Sequence, residues 1–122
     1  MTVNFSNSSE LLVHAQQSNM YEKLLAQLQK DFHLANIAID LQSKTDAQYV
    51  SPHILKTVLH EKIYRLILER FTEYLNLLYI IDVPESAVKN SAVEDVVEVA
   101  ARVSFLILKR EWQKVWFRAT YS

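Results

Sequence analysis

Glycine is absent from the 122-residue sequence, and this absence argues against several kinds of site at once. Phosphate-binding loops, dinucleotide fingerprints and nucleophile elbows all use glycine, because the backbone must approach a ligand closely or adopt a positive φ. Tight hairpin turns of the primed types also favour glycine. The composition therefore excludes the usual forms of these motifs and favours helices joined by loops.

Cysteine is absent as well, which removes disulfides, thiolate metal sites and cysteine nucleophiles. The sequence has no uninterrupted apolar run of about 18 residues, the length that a membrane helix requires. The N-terminal residues are too polar for a signal peptide. We therefore expect a cytoplasmic protein that does not associate with a membrane.

Neither sign of charge dominates. The chain has 13 Lys and Arg against 14 Asp and Glu, a formal net charge of −1, so it has no general attraction for nucleic acid or acidic membranes. Half of the residues are apolar and 22% are charged, which is typical of a globular protein. We predict a single domain over residues 1–122.

The longest predicted helix begins after Ser51, because serine caps a helix well and Pro52 is tolerated in the first turn. Neither glycine nor another proline occurs before Pro84. We therefore predict one uninterrupted helix over 52–82. Its apolar residues form two adjacent stripes, wider than the arc of about 100° that a surface helix shows. This helix must be covered from more than one side.

A second long helix is predicted over 92–118. Ser91 and Glu94 have the spacing of a capping box, and apolar residues then recur at helical intervals. Two long helices joined by a short connection form an antiparallel hairpin. The sequence therefore predicts an all-α helical bundle built on such a hairpin.

One or two shorter helices are predicted before this hairpin. Residues 1–18 are expected to form an arm followed by a short helix, which the spacing of Asn7 and Glu10 indicates. A helix over 20–33 follows, with Asn19 as its predicted cap. The sequence leaves open whether 34–50 is an ordered loop or contains a short strand.

Three residues suggest a polar site at one end of the predicted hairpin. His53 and His60 lie on one line of their helix, and Glu111 lies at the corresponding end of the other. Two histidines and a carboxylate could bind zinc or iron, but the Glu-x-x-His signature of di-iron bundles is absent. We favour a hydrogen-bonded cluster without a cofactor, in which Glu111 is paired with His60 or Lys62.

Arg110, Lys114 and Arg118 form a basic ridge near the C-terminus. Basic and aromatic residues interleave here in sequence, which invites a nucleic-acid interpretation. However, Trp112 and Trp116 point almost opposite to the ridge, whereas a stacking platform needs both on one surface. We favour a solvated basic edge and keep nucleic-acid binding as an alternative.

The amount of apolar surface predicts self-association. A hairpin with one short flanking helix cannot cover all of its apolar residues, and a patch of several hundred Å² marks an interface. We predict a homodimer, with a further protein partner as an additional expectation. The predicted interface residues are Tyr64, Leu68, Leu75, Tyr79, Val99, Phe105, Leu106 and Leu108.

The sequence has no visible internal repeat. It also has no motif that identifies a family with a known activity. The favoured hypothesis is a non-enzymatic, self-associating protein-interaction module. The first alternative is a nucleic-acid-associated protein that uses the basic ridge. The second is a small metal-binding protein or enzyme with a site between helices.

Overall fold

Five helices form the described part of the chain. A computed structural model describes residues 5–43, 48–84 and 95–121. The helices are α1 (Ser8–Gln17), α2 (Tyr21–Leu34), α3 (Pro52–Glu69), α4 (Phe71–Ile81) and α5 (Val96–Tyr121). These ranges contain no strand, so the prediction of an all-α fold is confirmed. No helix within them is long and apolar enough to cross a membrane.

Side-chain caps explain where α1 and α3 begin. Oδ1 of Asn7 accepts a hydrogen bond from the Glu10 backbone N–H at 2.9 Å, and Oγ of Ser51 accepts one from Ile54 at 3.5 Å. Both side chains satisfy N–H groups that have no partner within the first helical turn. Pro52 occupies the first position of α3, where its missing N–H costs nothing.

The other two predicted caps turn out differently. Asn19 does not cap α2; it has a φ of 59°, and the helix starts after Met20 without a side-chain hydrogen bond. At α5, Oδ1 of Asp95 accepts from the Glu98 N–H at 2.8 Å, the usual geometry of an N-cap. The predicted cap at Ser91 lies outside the described residues.

The prediction of one uninterrupted helix over 52–82 is wrong, because the helix is interrupted at Arg70. This residue has φ −142° and ψ 60°, and it separates α3 from α4. In a continuous helix Arg70 would share the buried line of Leu66 and Tyr74. Burying an unpaired guanidinium is costly. The break leaves Arg70 exposed, where it lies 3.6 Å from the Glu73 carboxylate.

α3 runs in the direction opposite to α5. Nε2 of His60 lies 3.1 Å from the carbonyl oxygen of Val97, near the start of α5. Thr57, which comes earlier in α3, lines a small cleft with Ser104, which comes later in α5. A straight continuation of α3 would therefore carry the chain past the start of α5.

α4 instead returns along α5. Asp82, which follows α4, forms an ion pair of 3.1 Å with Arg110 in the second half of α5. The break at Arg70 is what allows this return. The chain therefore does not form the predicted hairpin of two uninterrupted long helices.

α5 is the centre of the core, because each of the other four helices packs against it. Its contact with α3 is the most extensive. At 100° per residue its buried apolar residues span roughly half of the helix circumference. They are Ala100, Val103, Ile107, Leu108, Trp112 and Val115.

The described parts of the connection between α2 and α3 are irregular but ordered against the core. Ile37 and Val50 are buried. An isolated antiparallel bridge joins Gln42 to Tyr49. The Tyr21 hydroxyl donates a hydrogen bond to the Val50 carbonyl, and burial raises the pKa of this hydroxyl to about 12.

Three described residues with positive φ occupy positions that often carry glycine in other proteins. Asn19, Asn36 and Asp82 have φ values of 59°, 62° and 75°. Asparagine and aspartate tolerate this region best among residues with a Cβ, because their short polar side chains can bond locally. The chain thus ends α1, α2 and α4 without any glycine.

The packing of α3 on α5 predicts a large effect of truncating Leu59, which is fully buried. Leu59→Ala should lower the free energy of unfolding by roughly 2–5 kcal/mol, because it removes contacts and leaves a cavity. Urea denaturation followed by circular dichroism measures this change. The control is Leu34→Ala at an exposed position, with an expected change below about 0.5 kcal/mol. Similar small losses in both variants would contradict the described core.

Candidate functional site

Two acidic side chains meet in the interior between α2 and α5. Asp31 is 3% exposed and Glu111 is 0% exposed. Nζ of Lys114 lies 2.9 Å from Oδ2 of Asp31 and 3.2 Å from Oε1 of Glu111. We call Asp31 and Glu111 the acidic pair. With Lys114, it links the two helices.

The acidic pair shares one proton near neutral pH. Two carboxylates with a single ammonium group would leave a buried negative charge uncompensated. Burial, and then the hydrogen bond and charge of Asp31, raise the pKa of Glu111 to about 9, against the weaker opposing effect of Lys114. As an acid, Glu111 donates to Asp31. As a carboxylate, it would have no well-formed hydrogen bond.

Asp31 keeps its negative charge. Burial acts to raise the pKa of this carboxyl, but hydrogen bonds from Glu111, Lys114 and Gln27, with the charge of Lys114, outweigh burial and lower the pKa. The two carboxyl groups are therefore held in opposite protonation states by their surroundings. Enzymes use such differences in environment to push the pKa values of two carboxyl groups apart, so that one acts as an acid and the other as a base.

The polar contacts continue from Asp31 to the surface. Nε2 of the buried Gln27 donates to Oδ2 of Asp31 at 3.1 Å. Nη2 of Arg118 donates to Oε1 of Gln27 at 2.8 Å. A chain of hydrogen bonds thus connects the acidic pair to an exposed guanidinium at the end of α5.

The acidic pair is poorly placed for catalysis despite its separated pKa values. A catalytic acid or base must come within hydrogen-bond distance of a substrate, but Glu111 is fully buried and Asp31 is almost fully buried. Its direct contacts are with side chains of α2 and α5. The contacts of Asp31 with Glu111 and Lys114 instead hold α2 against α5.

The predicted site of His53, His60 and Glu111 does not assemble. His60 contacts Val97, which is about 21 Å along α5 from Glu111 at 1.5 Å per residue. His53 is exposed at the start of α3. Glu111 is buried, and its partners are Asp31 and Lys114 rather than the predicted His60 or Lys62. Within the described ranges no group of three His, Asp or Glu residues could hold a metal ion.

Most of the basic ridge is paired with acidic side chains of the same chain. Arg110 pairs with Asp82, and Lys114 is held by the acidic pair. Arg118 donates to the neutral Gln27. Two of the three charges are therefore neutralised within the chain, which leaves little of the ridge for nucleic-acid phosphates.

The predicted interface residues fall into three groups. Leu108 is buried in the core, so its assignment to an interface is wrong. Partly buried residues that pack against the core are Tyr64, Val99, Phe105 and Leu106. Residues that remain exposed are Leu68, Leu75 and Tyr79. Only the last group presents most of its apolar surface to solvent.

The exposed group continues through Phe71, which the sequence-based interface omitted although it lies at a four-residue step from Leu75. We call Leu68, Phe71, Leu75 and Tyr79 the α4 outer face. Phe71 is 53% exposed and Tyr79 is 83% exposed. Phe71, Leu75 and Tyr79 are spaced by four and therefore lie on one side of α4. Leu68 precedes them near the end of α3, before the break at Arg70. The α4 outer face is the strongest candidate for a functional surface.

Protonation of Glu111 predicts a stability that declines as pH rises. The folded protein keeps a proton on Glu111 that the unfolded chain releases near its ordinary pKa of 4.5. The contribution is complete below that pH and is lost as pH rises through about 9. Urea denaturation should show stability falling by about 1 kcal/mol per unit between roughly pH 5.5 and 8.5.

Glu111→Gln should remove most of this dependence, because glutamine keeps the shape and cannot ionise. Asp31 does not interfere, since its lowered pKa affects stability only at acidic pH. The matched control is Glu22→Gln, which alters an exposed carboxyl on α2 and should keep the pH dependence. An unchanged pH dependence in Glu111→Gln would show that Glu111 is ionised in the folded protein.

Comparison of the chain with family models, with curated proteins and with solved structures finds no match. The candidate site is therefore interpreted from its own geometry.

Proposed function

We propose that this protein is a non-enzymatic interaction module that self-associates through the α4 outer face. The observation that carries the proposal is the exposure of four large apolar side chains: Leu68 near the end of α3, and Phe71, Leu75 and Tyr79 on one side of α4. Fully burying a large apolar side chain contributes about 1.5–3 kcal/mol. Covering the α4 outer face would therefore supply a substantial driving force for association.

The opposite side of α4 supports this proposal. Tyr74, Leu77, Leu78 and Ile81 are buried against the rest of the fold. A helix that is apolar on both sides is typical of one covered from both sides. Within the described residues only one side of α4 is buried. A partner molecule would bury the other side.

A second copy of the chain is the partner that the charges favour. Between Glu73 and Asp82 the exposed surface of α4 carries no charged side chain. A two-fold axis places a surface against itself, and an uncharged surface avoids opposing like charges. An antiparallel pair of α4 helices would also bring Arg70 of one copy towards Asp82 of the other, which adds charge complementarity.

The size of the face indicates how far the interface must extend. A standard interface hides roughly 800 Å² on each partner, more than one short helix provides. Tyr64 lies one turn before Leu68 on α3 and is only partly buried, so it can extend the contact. The dimer interface would then run from the second half of α3 along α4.

The proposal of a non-enzymatic role rests on the inaccessibility of the acidic pair, the strongest catalytic candidate. We also place the protein in the cytoplasm. That location rests on the sequence, since a chain without cysteine suits a reducing compartment.

Self-association predicts twice the chain mass of 14.2 kDa in solution. Light scattering after size exclusion at about 50 μM should report a dimer, a concentration at which an association of micromolar affinity is well populated. The double variant Leu75→Glu and Tyr79→Glu should be monomeric, because a two-fold contact would then bury unpaired carboxylates. Both positions are exposed, so the fold should remain intact by circular dichroism.

Val13→Glu is the matched control, since it introduces a carboxylate at an exposed apolar position on α1. This variant should remain dimeric. A monomeric wild-type protein would refute the proposal. A dimer that persists in the Leu75→Glu and Tyr79→Glu variant would place the interface elsewhere.

A further inference from the structure

A cleft between α2 and α5 gathers positive charge without any acidic residue in its walls. It has a volume of about 400 Å³. Its lining residues are Lys23, Ala26, Gln27, Lys30, Val115, Arg118 and Ala119. Three of these side chains are cationic in a chain whose net charge is −1. Such a local excess attracts anions.

No carboxylate among the described residues neutralises the charge of Arg118. Its Nη2 donates to Oε1 of Gln27 at 2.8 Å, and an amide oxygen carries no net charge. A guanidinium has five N–H donors, and no carboxylate pairs with Arg118 in the part of the chain that the structure describes. Of the three cations on the basic ridge, Arg118 therefore has the charge and the donors to bind an external anion.

Gln27 holds Arg118 in the cleft. The Gln27 amide group donates to Asp31 and accepts from Arg118, so its orientation is set from both sides. If the Gln27 amide were rotated by half a turn, its NH₂ group would face the Arg118 guanidinium and its oxygen would face the Asp31 carboxylate. Neither pair could form a hydrogen bond. Gln27 therefore positions the guanidinium while separating its charge from that of Asp31.

Lys23 and Lys30 flank Gln27 along α2, four residues before it and three residues after it. Residues at these spacings share one side of a helix. The two lysines are about 10 Å apart along the helix axis. Both are exposed, and neither forms an ion pair among the described residues. Their flexible ammonium groups can close on an anion that Arg118 holds.

We propose that this cleft binds a small molecule that carries a diphosphate group. Arginine matches phosphate oxygens through two parallel hydrogen bonds. A fixed arginine between two lysines suits a group with several negative charges better than it suits a single carboxylate. The volume falls within the range of small-molecule sites, and Val115 gives one wall an apolar side chain. The site lies on α2 and α5 and is independent of the α4 outer face.

The test uses inorganic pyrophosphate and a nucleoside diphosphate as probes, added to the full chain at constant ionic strength. Isothermal titration calorimetry should show saturable binding of at least one probe at concentrations up to about 5 mM. Binding of pyrophosphate alone would identify the phosphates as the whole recognised group. Tighter binding of the nucleoside diphosphate would identify an organic part that contacts the apolar wall.

Arg118→Gln should weaken binding roughly tenfold or more, because charged hydrogen bonds to phosphate are lost. The double variant Lys23→Gln and Lys30→Gln should also bind more weakly, and it changes only exposed positions. Lys62→Gln on α3 removes the same charge outside the cleft and should bind like the wild type. Circular dichroism verifies the fold of each variant.

Three results would overturn the proposal. The first is the absence of saturable binding by both probes. The second is binding that Arg118→Gln leaves unchanged, or that Lys62→Gln weakens equally. The third is binding of polynucleotides but not of either probe, which would show that the cleft is part of a nucleic-acid surface.

Discussion

The packing of α5 against the four other helices is the constraint on which the remaining structure depends. The buried residues of α5 span roughly half of its circumference, wider than the arc of about 100° that a surface helix shows, so a single partner helix does not cover them. α3 lies against it in the opposite direction, α4 returns after the break at Arg70, and α1 and α2 complete the enclosure. The exposed apolar strip on α4 is a consequence, because a short helix that covers α5 with one side must turn its other side to solvent.

The acidic pair shows how a polar group can be kept in such an interior. An ionised Glu111 would have Lys114 at 3.2 Å but no well-formed hydrogen bond, so the proton it retains is part of the packing between α2 and α5. Replacing buried polar networks by apolar residues often leaves stability unchanged. In this protein the network links α2 to α5 through Asp31, Glu111 and Lys114, and through Gln27 it reaches Arg118 at the surface.

Local features of this fold could be predicted from the sequence, and contacts between distant segments could not. The caps at Asn7 and Ser51 depend on neighbouring residues and appear where their spacing indicates.

No glycine or proline lies at the break at Arg70, so the usual sequence signal for a helix end is absent there. The available signal was a charged residue on an otherwise apolar line of the helix. The position of Glu111 on an apolar line indicated that it needs a partner, but the partner Asp31 lies on a helix far away in the chain. Leu68, Leu75 and Tyr79 could be assigned to an exposed face, whereas the burial of Leu108 depends on packing that the sequence does not encode locally.

The position of α5 in the chain has a consequence for how the protein acquires its structure in the cell. Synthesis proceeds from the N-terminus, so α1 to α4 leave the ribosome before the helix that joins them. Each of these helices packs against α5, and until residues 96–121 emerge their apolar faces lack that cover. Such faces bind chaperones or other nascent chains. Folding is therefore completed only after translation of α5, and a chain interrupted before this helix would keep those apolar faces exposed.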